Sequence, residues 1–416
     1  MYKLQHLDNG TKLLTFKTDV RTVSLGVFVA AGCVNETAQN NGISHFIEHM
    51  LFKGTAKRSA EKIANEFENV GAQVNAYTGK ELTAFYSVSL KEHLEKCAEL
   101  LSDMLYNSAF DADETEREKS VVIEEIDMCE DMPDDVCLQL LSKAYYDKSP
   151  LAKTILGSKH NVSSFDGDSM REYMAQYYIP ERTTIVLVGD VDDSEARDIA
   201  EKFFGRNANN TPKIITYKAS AAHNKYLTKA KKTEQANFAF AFPALPYGED
   251  NAAADIMNNC LGGGMSSRLF QAVREKLGLA YSVYSSSSGY RNDGHFTIFI
   301  GTNPSKATRA ADAVKTELSK LIKNGITKTE LNRAKEGIKT DRALLFERSQ
   351  SIMSLYGKCV TLTGKPYDID ERIKKIMEVD LDDVNCAIAK TFDFSRACGA
   401  YVGPKNENNL LELIKL

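Results

Sequence analysis

No CxxC pair occurs in the sequence. The eight cysteines, Cys33, Cys97, Cys129, Cys137, Cys260, Cys359, Cys386 and Cys398, stand singly, so the thiols read as reduced and mostly buried, and neither a disulfide framework nor a cysteine-ligated zinc is expected. Basic residues are not in excess. Against 57 Asp and Glu there are 52 Lys and Arg, a net charge of -5, so no overall positive field recruits nucleic acid or anionic lipid, and no nucleic-acid partner is expected. Long apolar runs are missing as well: stretches such as Thr184 to Val188 have strand length, far below the roughly 18 residues of a bilayer span, which argues against a membrane partner. The N-terminus, Met1 to Gly10, turns polar before an apolar stretch of about 7–15 residues can form; no signal peptide is expected, and the expected location is cytoplasmic. Glycine and proline are scarce, 25 and 9 residues of 416, which excludes collagen-like and low-complexity chains. What remains is an ordinary globular protein long enough for about three average domains.

The chain repeats itself. Tyr178 to Gly189 lines up at an offset of 214 with Phe392 to Gly403, sharing Arg182 with Arg396 and Val188-Gly189 with Val402-Gly403, and the same offset lays Thr115-Glu116 on Thr329-Glu330. A third match, Gly71 before the Val74 to Thr78 strand against Gly278 before the Tyr281 to Ser285 strand, has slipped to an offset of 207. Two homologous domains are therefore expected, 1–215 and 225–416, joined through the polar stretch Asn207 to His223. Within each half, hairpin-spaced alternating strands (Val23 to Ala30, Val74 to Tyr77 and Thr83 to Leu90 in the first; Asn237 to Phe242 in the second) precede runs of helices. That order predicts an α+β fold, each domain a mainly antiparallel sheet packed with helices.

His45-Phe46-Ile47-Glu48-His49 has helix-compatible surroundings, and its i, i+4 imidazoles fall on one helical face, close enough to share a metal. Glu48 lies beside them. The HxxEH order reverses HExxH and supplies two nitrogen ligands and a carboxylate base. A catalytic zinc wants a third protein ligand, and the predicted helix around Glu114 to Met128 offers Glu118, Glu124 and Glu125; Glu118 and Glu125, seven apart, share a face. At the repeat offset Glu125 falls on Lys339, and no histidine matches His45 or His49 at any offset from 207 to 214. Only the first half can bind this metal.

The run His45 to Thr55, with a Glu 76 residues after His49, resembles the pitrilysin-type (inverzincin) metallopeptidases, and most closely the branch of mitochondrial processing peptidase and its bacterial relatives. The resemblance spans both halves. It implies the LuxS/processing-peptidase-like metallohydrolase fold, one Zn2+ per chain held by His45, His49 and Glu125, Glu48 as general base, and Glu118 as a carboxylate that orients or polarises the site. In the second half Leu261-Gly-Gly-Gly-Met-Ser-Ser-Arg-Leu-Phe270 lacks the Lys-Ser/Thr of a phosphate loop. Arg274 and Tyr281, which follow it, look like the family's Arg/Tyr pair: Tyr281 would donate to the tetrahedral oxyanion and Arg274 would hold the substrate backbone. Asn75-Ala76-Tyr77 resembles the edge strand on which these enzymes lay substrate as an added strand. Relatives of this length pair into a four-domain clamshell. Because this chain carries both the metal motif and the Arg/Tyr pair, a homodimer is expected, with a heterodimer as the alternative.

Zinc-dependent endopeptidase activity on peptides or unfolded segments is the function expected. A non-catalytic binding or structural subunit would show a lost ligand or base, and none is lost. A hydrolase of non-peptide substrates would show little dependence on peptide length.

Overall fold

The computed structural model describes residues 2–206, 217 and 224–416; the expected joint Asn207 to His223, apart from Tyr217, lies outside the described residues. The chain divides into two compact units. Unit one comprises Met1–Ile126, Lys153–Thr216 and Leu344–Tyr367; unit two comprises Asp127–Ala152, Tyr217–Ala343 and Asp368–Leu416. Each unit thus includes a helical segment from the half of the sequence that builds the other.

In unit one, β1 (Tyr2–His6), β2 (Lys12–Lys17), β3 (Thr22–Val29), β4 (Gln73–Thr78), β5 (Thr83–Leu90) and β6 (Thr183–Gly189) form a sheet in the order β1-β2-β6-β3-β5-β4. Among the described residues only the β2–β6 pair of this sheet is parallel. The strand expected over Val23 to Ala30 is β3, and seven of its eight residues are buried, because both faces are covered. Val23, Leu25, Val27 and Val29 join the main core with Ile43, Phe46, Ile47 and Met50 of α1 (Ile43–Met50). Ser24, Gly26 and Phe28 face the helix Ser349–Thr363, where Ser24 Oγ lies 2.9 Å from Ser349 Oγ and the Phe28 ring lies flush with Gly357. A sheet apolar on both faces must be covered twice. The helices α2 (Ala60–Glu68), α3 (Leu94–Asn107) and α4 (Ala112–Asp131) contribute to the same core as α1, as do the helices Gly167–Tyr177 and Asp193–Phe204.

Unit two repeats the plan. Strands β7 (Tyr226–Ala230), β8 (Ala236–Pro243), β9 (Ala280–Gly289), β10 (Gly294–Thr302) and β11 (Cys398–Gly403) are ordered β7-β11-β8-β10-β9, with β7–β11 the parallel pair. This is the first sheet without β1. Phe238, Phe240 and Phe242 of β8 enter the core, while the other face lies under α5 (Pro133–Tyr146), whose Cys137 Sγ donates to the Ala400 carbonyl at 3.8 Å and whose Tyr146 hydroxyl is 2.7 Å from His295 Nδ1. Gly71 and Gly278, matched in sequence, both turn with positive φ, 61° and 55°, a conformation that favours glycine. Both units are α+β with mainly antiparallel sheets. Among the described residues no helix is long and apolar enough to cross a membrane.

Candidate metal centre

The helix α1 starts where Gly42 takes φ 105° and its Cα passes so near Leu156 that a Cβ would lie 2.6 Å from that carbonyl. Its first N–H groups meet a carboxylate from upstream: Glu36 accepts from Gly42 N at 2.8 Å, Ser44 N at 3.0 Å and the Asn41 side chain at 2.7 Å. Negative charge there complements the helix dipole. With Ile43, Phe46, Ile47 and Met50 anchored in the core, His45, Glu48 and His49 emerge on the remaining face.

Opposite them runs α4, held by Val122 and Ile126 in the same core. Glu124 is exposed; Glu125 turns toward the histidines. Its Oε2 lies 3.6 Å from His45 Nε2 and 3.7 Å from His49 Nε2. Donors about 2.0–2.2 Å from a tetrahedral zinc stand roughly 3.3–3.6 Å apart, so both separations from Glu125 are close to the edges such an ion requires, and all three donor atoms lie within 4.8 Å of one another. The same Glu125 oxygen is buried without a hydrogen-bond partner among the described residues. An unpaired buried carboxylate oxygen facing two imidazole nitrogens is a donor set that fits zinc.

The surroundings favour the neutral, ligating form of one imidazole and the protonated form of the other, whose proton a bound metal would displace. Burial, with His49 beside it, pushes His45 down to about 3, leaving a neutral imidazole. For His49 burial acts downward too, but the hydrogen bond and charge of Glu118, aided by Glu125 and Glu48, outweigh it and raise the imidazole. Glu118, 3% exposed, has one oxygen 2.8 Å from His49 Nδ1 and the other 2.6 Å from the Lys53 ammonium. A carboxylate on Nδ1 fixes the tautomer that presents Nε2 to a metal. Glu48 is raised by burial, against the hydrogen bond that Thr78 Oγ1 donates to its Oε2 at 2.5 Å.

Thr78 ends β4, which among the described residues pairs only with β5 and so forms a sheet edge; Asn75 and Tyr77 are exposed there, while Ala76 and Thr78 face α1. In unit two, Arg274 sits in a π-helical turn, Phe270–Lys276, with its guanidinium 4.9 Å over the Phe270 ring and 5.3 Å over the Tyr281 ring. Tyr281 is 75% exposed on the edge strand β9. The two side chains expected to act as a pair stack on each other.

Family models match both parts of the chain: Insulinase (Peptidase family M16) over residues 13–159 and the Peptidase M16 inactive domain over residues 164–338. A Bacillus subtilis protein named "Uncharacterized zinc protease YmxG" is 42% identical over 387 residues, 92% of this chain and 94% of that one. The chain belongs to peptidase family M16. A Streptomyces coelicolor relative of the family, "Uncharacterized zinc protease SCO5738", is 31% identical over 98% of this chain and 90% of its own length. Two solved structures share the fold: a Pseudomonas fluorescens protein described as peptidase M16 inactive domain (TM-score 0.91, 22% identity, 98% of each chain) and a Helicobacter pylori protease (TM-score 0.91, 21% identity, 97% of this chain and 99% of that one).

In this M16 chain three side chains at the centre had no role read for them in the sequence: Glu36, Lys53, which lies within the run His45 to Thr55, and Thr78, which ends the predicted edge strand. Lys53 had a signal, since it follows His49 by four residues. Glu36 and Thr78 had none, because a loop carboxylate and a strand hydroxyl acquire meaning only when the sheet brings them to α1.

Proposed function

We propose that the chain is a zinc-dependent endopeptidase that hydrolyses peptides or unfolded segments. The observation that carries this reading is the convergence of both histidine Nε2 atoms on one unpaired oxygen of Glu125, with the Glu48 carboxylate on the same helix face. His45, His49 and Glu125 would hold one zinc per chain, which supplies Lewis acidity at a scissile carbonyl and acidifies water. Glu48, anchored through Oε2 by Thr78, takes the proton of the attacking water and passes it to the leaving amine. Glu118 orients His49. The substrate backbone adds to the free edge of β4 along Asn75, Ala76 and Tyr77, and Arg274 and Tyr281 serve to hold the peptide and to donate to the oxyanion. Two copies associate as a homodimer, a point that sedimentation equilibrium decides.

The decisive comparison is wild type against Glu48→Gln, reading zinc content and cleavage of a quenched peptide of about 20 residues. General-base catalysis contributes about 10²–10⁴-fold, so the variant should keep its zinc and lose cleavage by that factor. Zinc in both proteins with no cleavage of any peptide by wild type would favour the non-catalytic subunit; no zinc in either would end the mechanism.

A further inference from the structure

From the Glu118 contacts we infer that Lys53 is a positioning residue for the metal: it holds Glu118 in the orientation that keeps His49 Nε2 turned to the ion, and through it sets zinc affinity. The inference rests on the proposed zinc site and adds to it a residue of the run His45 to Thr55 to which the sequence reading assigns no role. Lys53 follows α1 by one turn, with its backbone N–H bonded to the Met50 carbonyl at 3.1 Å, so its place is tied to the helix that carries both histidines. Its ammonium, on a side chain 31% exposed, is 2.6 Å from Glu118 Oε2, while Glu118 Oε1 is 2.8 Å from His49 Nδ1. The carboxylate is thus gripped at both oxygens. Only 4% of the Glu118 side chain is exposed, so without Lys53 the second oxygen would lose its partner where little water can replace it. The carboxylate could then answer by rotating about its terminal torsion, which is broad and soft, and His49 would lose the fixed acceptor that aims its ring.

Outer partners of metal-bound histidines are worth about 10–100-fold in metal affinity. Zinc dissociation constants measured by competition with a chromophoric chelator should therefore rise about 10–100-fold in Lys53→Met, which keeps the aliphatic stem, and return to within a few-fold of wild type in Lys53→Arg. The loss should vanish in a Glu118→Gln background, where Lys53→Met changes affinity by less than about twofold; a merely structural role for Lys53 would persist there. An affinity unchanged in folded Lys53→Met overturns the inference, and so does an equal loss with and without Glu118. Should Lys53→Met fail to fold, Lys53→Gln carries the same comparison. Wild type that binds no zinc overturns the underlying reading itself, a result distinct from zinc that binds wild type and Lys53→Met alike.

Discussion

On α1 the Glu48 carboxylate accepts a hydrogen bond from Thr78 at the end of β4, at 2.5 Å; in unit two Asn258, on the helix Ala252–Gly262, accepts one from Ser285 of β9 at 2.7 Å. β4 and β9 occupy corresponding edges of their sheets, and each helix follows the corresponding strand, β3 or β8. The hydroxyl-to-helix bond therefore belongs to the shared fold, and the chemistry to what is hung on it. Counting from the Glu48–Asn258 match, His45 and His49 fall on Asp255 and Asn259, and the helix across from Asn259 presents Gly337, whose added Cβ would come no nearer than 3.9 Å to the Asn259 amide. Asp255 is a carboxyl pushed up by burial, with Arg342 and Arg372 acting against that. One scaffold carries two histidines and a carboxylate; its copy carries a buried carboxyl, an amide and space.

Making unit one resemble unit two at a single ligand should have the largest effect. His49→Asn copies Asn259, removes one of three donors, and is expected to weaken zinc binding beyond the roughly 100-fold that marks the upper end for an outer partner, abolishing peptide cleavage. Retained stoichiometric zinc, measured after dialysis against a weak chelator, would mean that the ligands lie elsewhere.

The hydroxyls provide a sharper contrast. Thr78→Val leaves Glu48 in place but unanchored, and misplacement of a catalytic group by about 1 Å can cost about 10²-fold; kcat should fall toward that limit with zinc content unchanged, and Thr78→Ser should restore it. Ser285→Ala removes the matching bond where no chemistry depends on it, so cleavage should stay within about twofold. Equal kinetic losses in the two variants would show that both bonds act only through stability.

The same comparison shows how much was legible beforehand. The repeat, the α+β class and the strands that flank the centre could be read because hydrophobic alternation and matched glycines such as Gly71 and Gly278 are local signals. The His45, Glu48 and His49 face is equally local, one turn of one helix. The reciprocal covering of the sheets was not legible: α5 and Ser349–Thr363 are ordinary helices by periodicity, and which sheet each covers depends on packing between residues about 80 or more apart. Complementarity of size records it in the structure. In unit one a bulky strand residue, Phe28, meets Gly357 on the helix; in unit two the strand offers Ala239 and Ala241, and the helix brings Val136, Cys137 and Leu141. Gly357→Ala should test this directly. A helix-interior alanine gains about 1 kcal/mol in propensity, but its Cβ would stand 2.2 Å from the fully buried Phe28 ring, and overpacking costs about 1–3 kcal/mol. A net loss of up to about 2 kcal/mol is expected by chemical denaturation, whereas a rise in stability would mean that the helix does not rest on β3.

The smallest effect concerns how the two corresponding helices begin. Neither Gly42 nor Asn251 caps its helix with its own side chain. The start of α1 relies on Glu36, 4% exposed, which satisfies two backbone N–H groups and the Asn41 amide; the other helix has Asp250, an exposed residue that accepts from Ala252 N at 3.2 Å. Glu36→Gln keeps the shape but trades one acceptor oxygen for a donor, so at least one buried donor loses its partner and the charge facing the helix dipole disappears, at a cost of about 1–2 kcal/mol. Asp250→Asn, in reach of water, should cost no more than about 0.5 kcal/mol. Because α1 bears the histidines, Glu36→Gln should also loosen zinc by a few-fold, whereas Asp250→Asn leaves zinc affinity unchanged; if the two substitutions were equal in both measurements, the start of α1 would owe its position to Gly42 and the core alone.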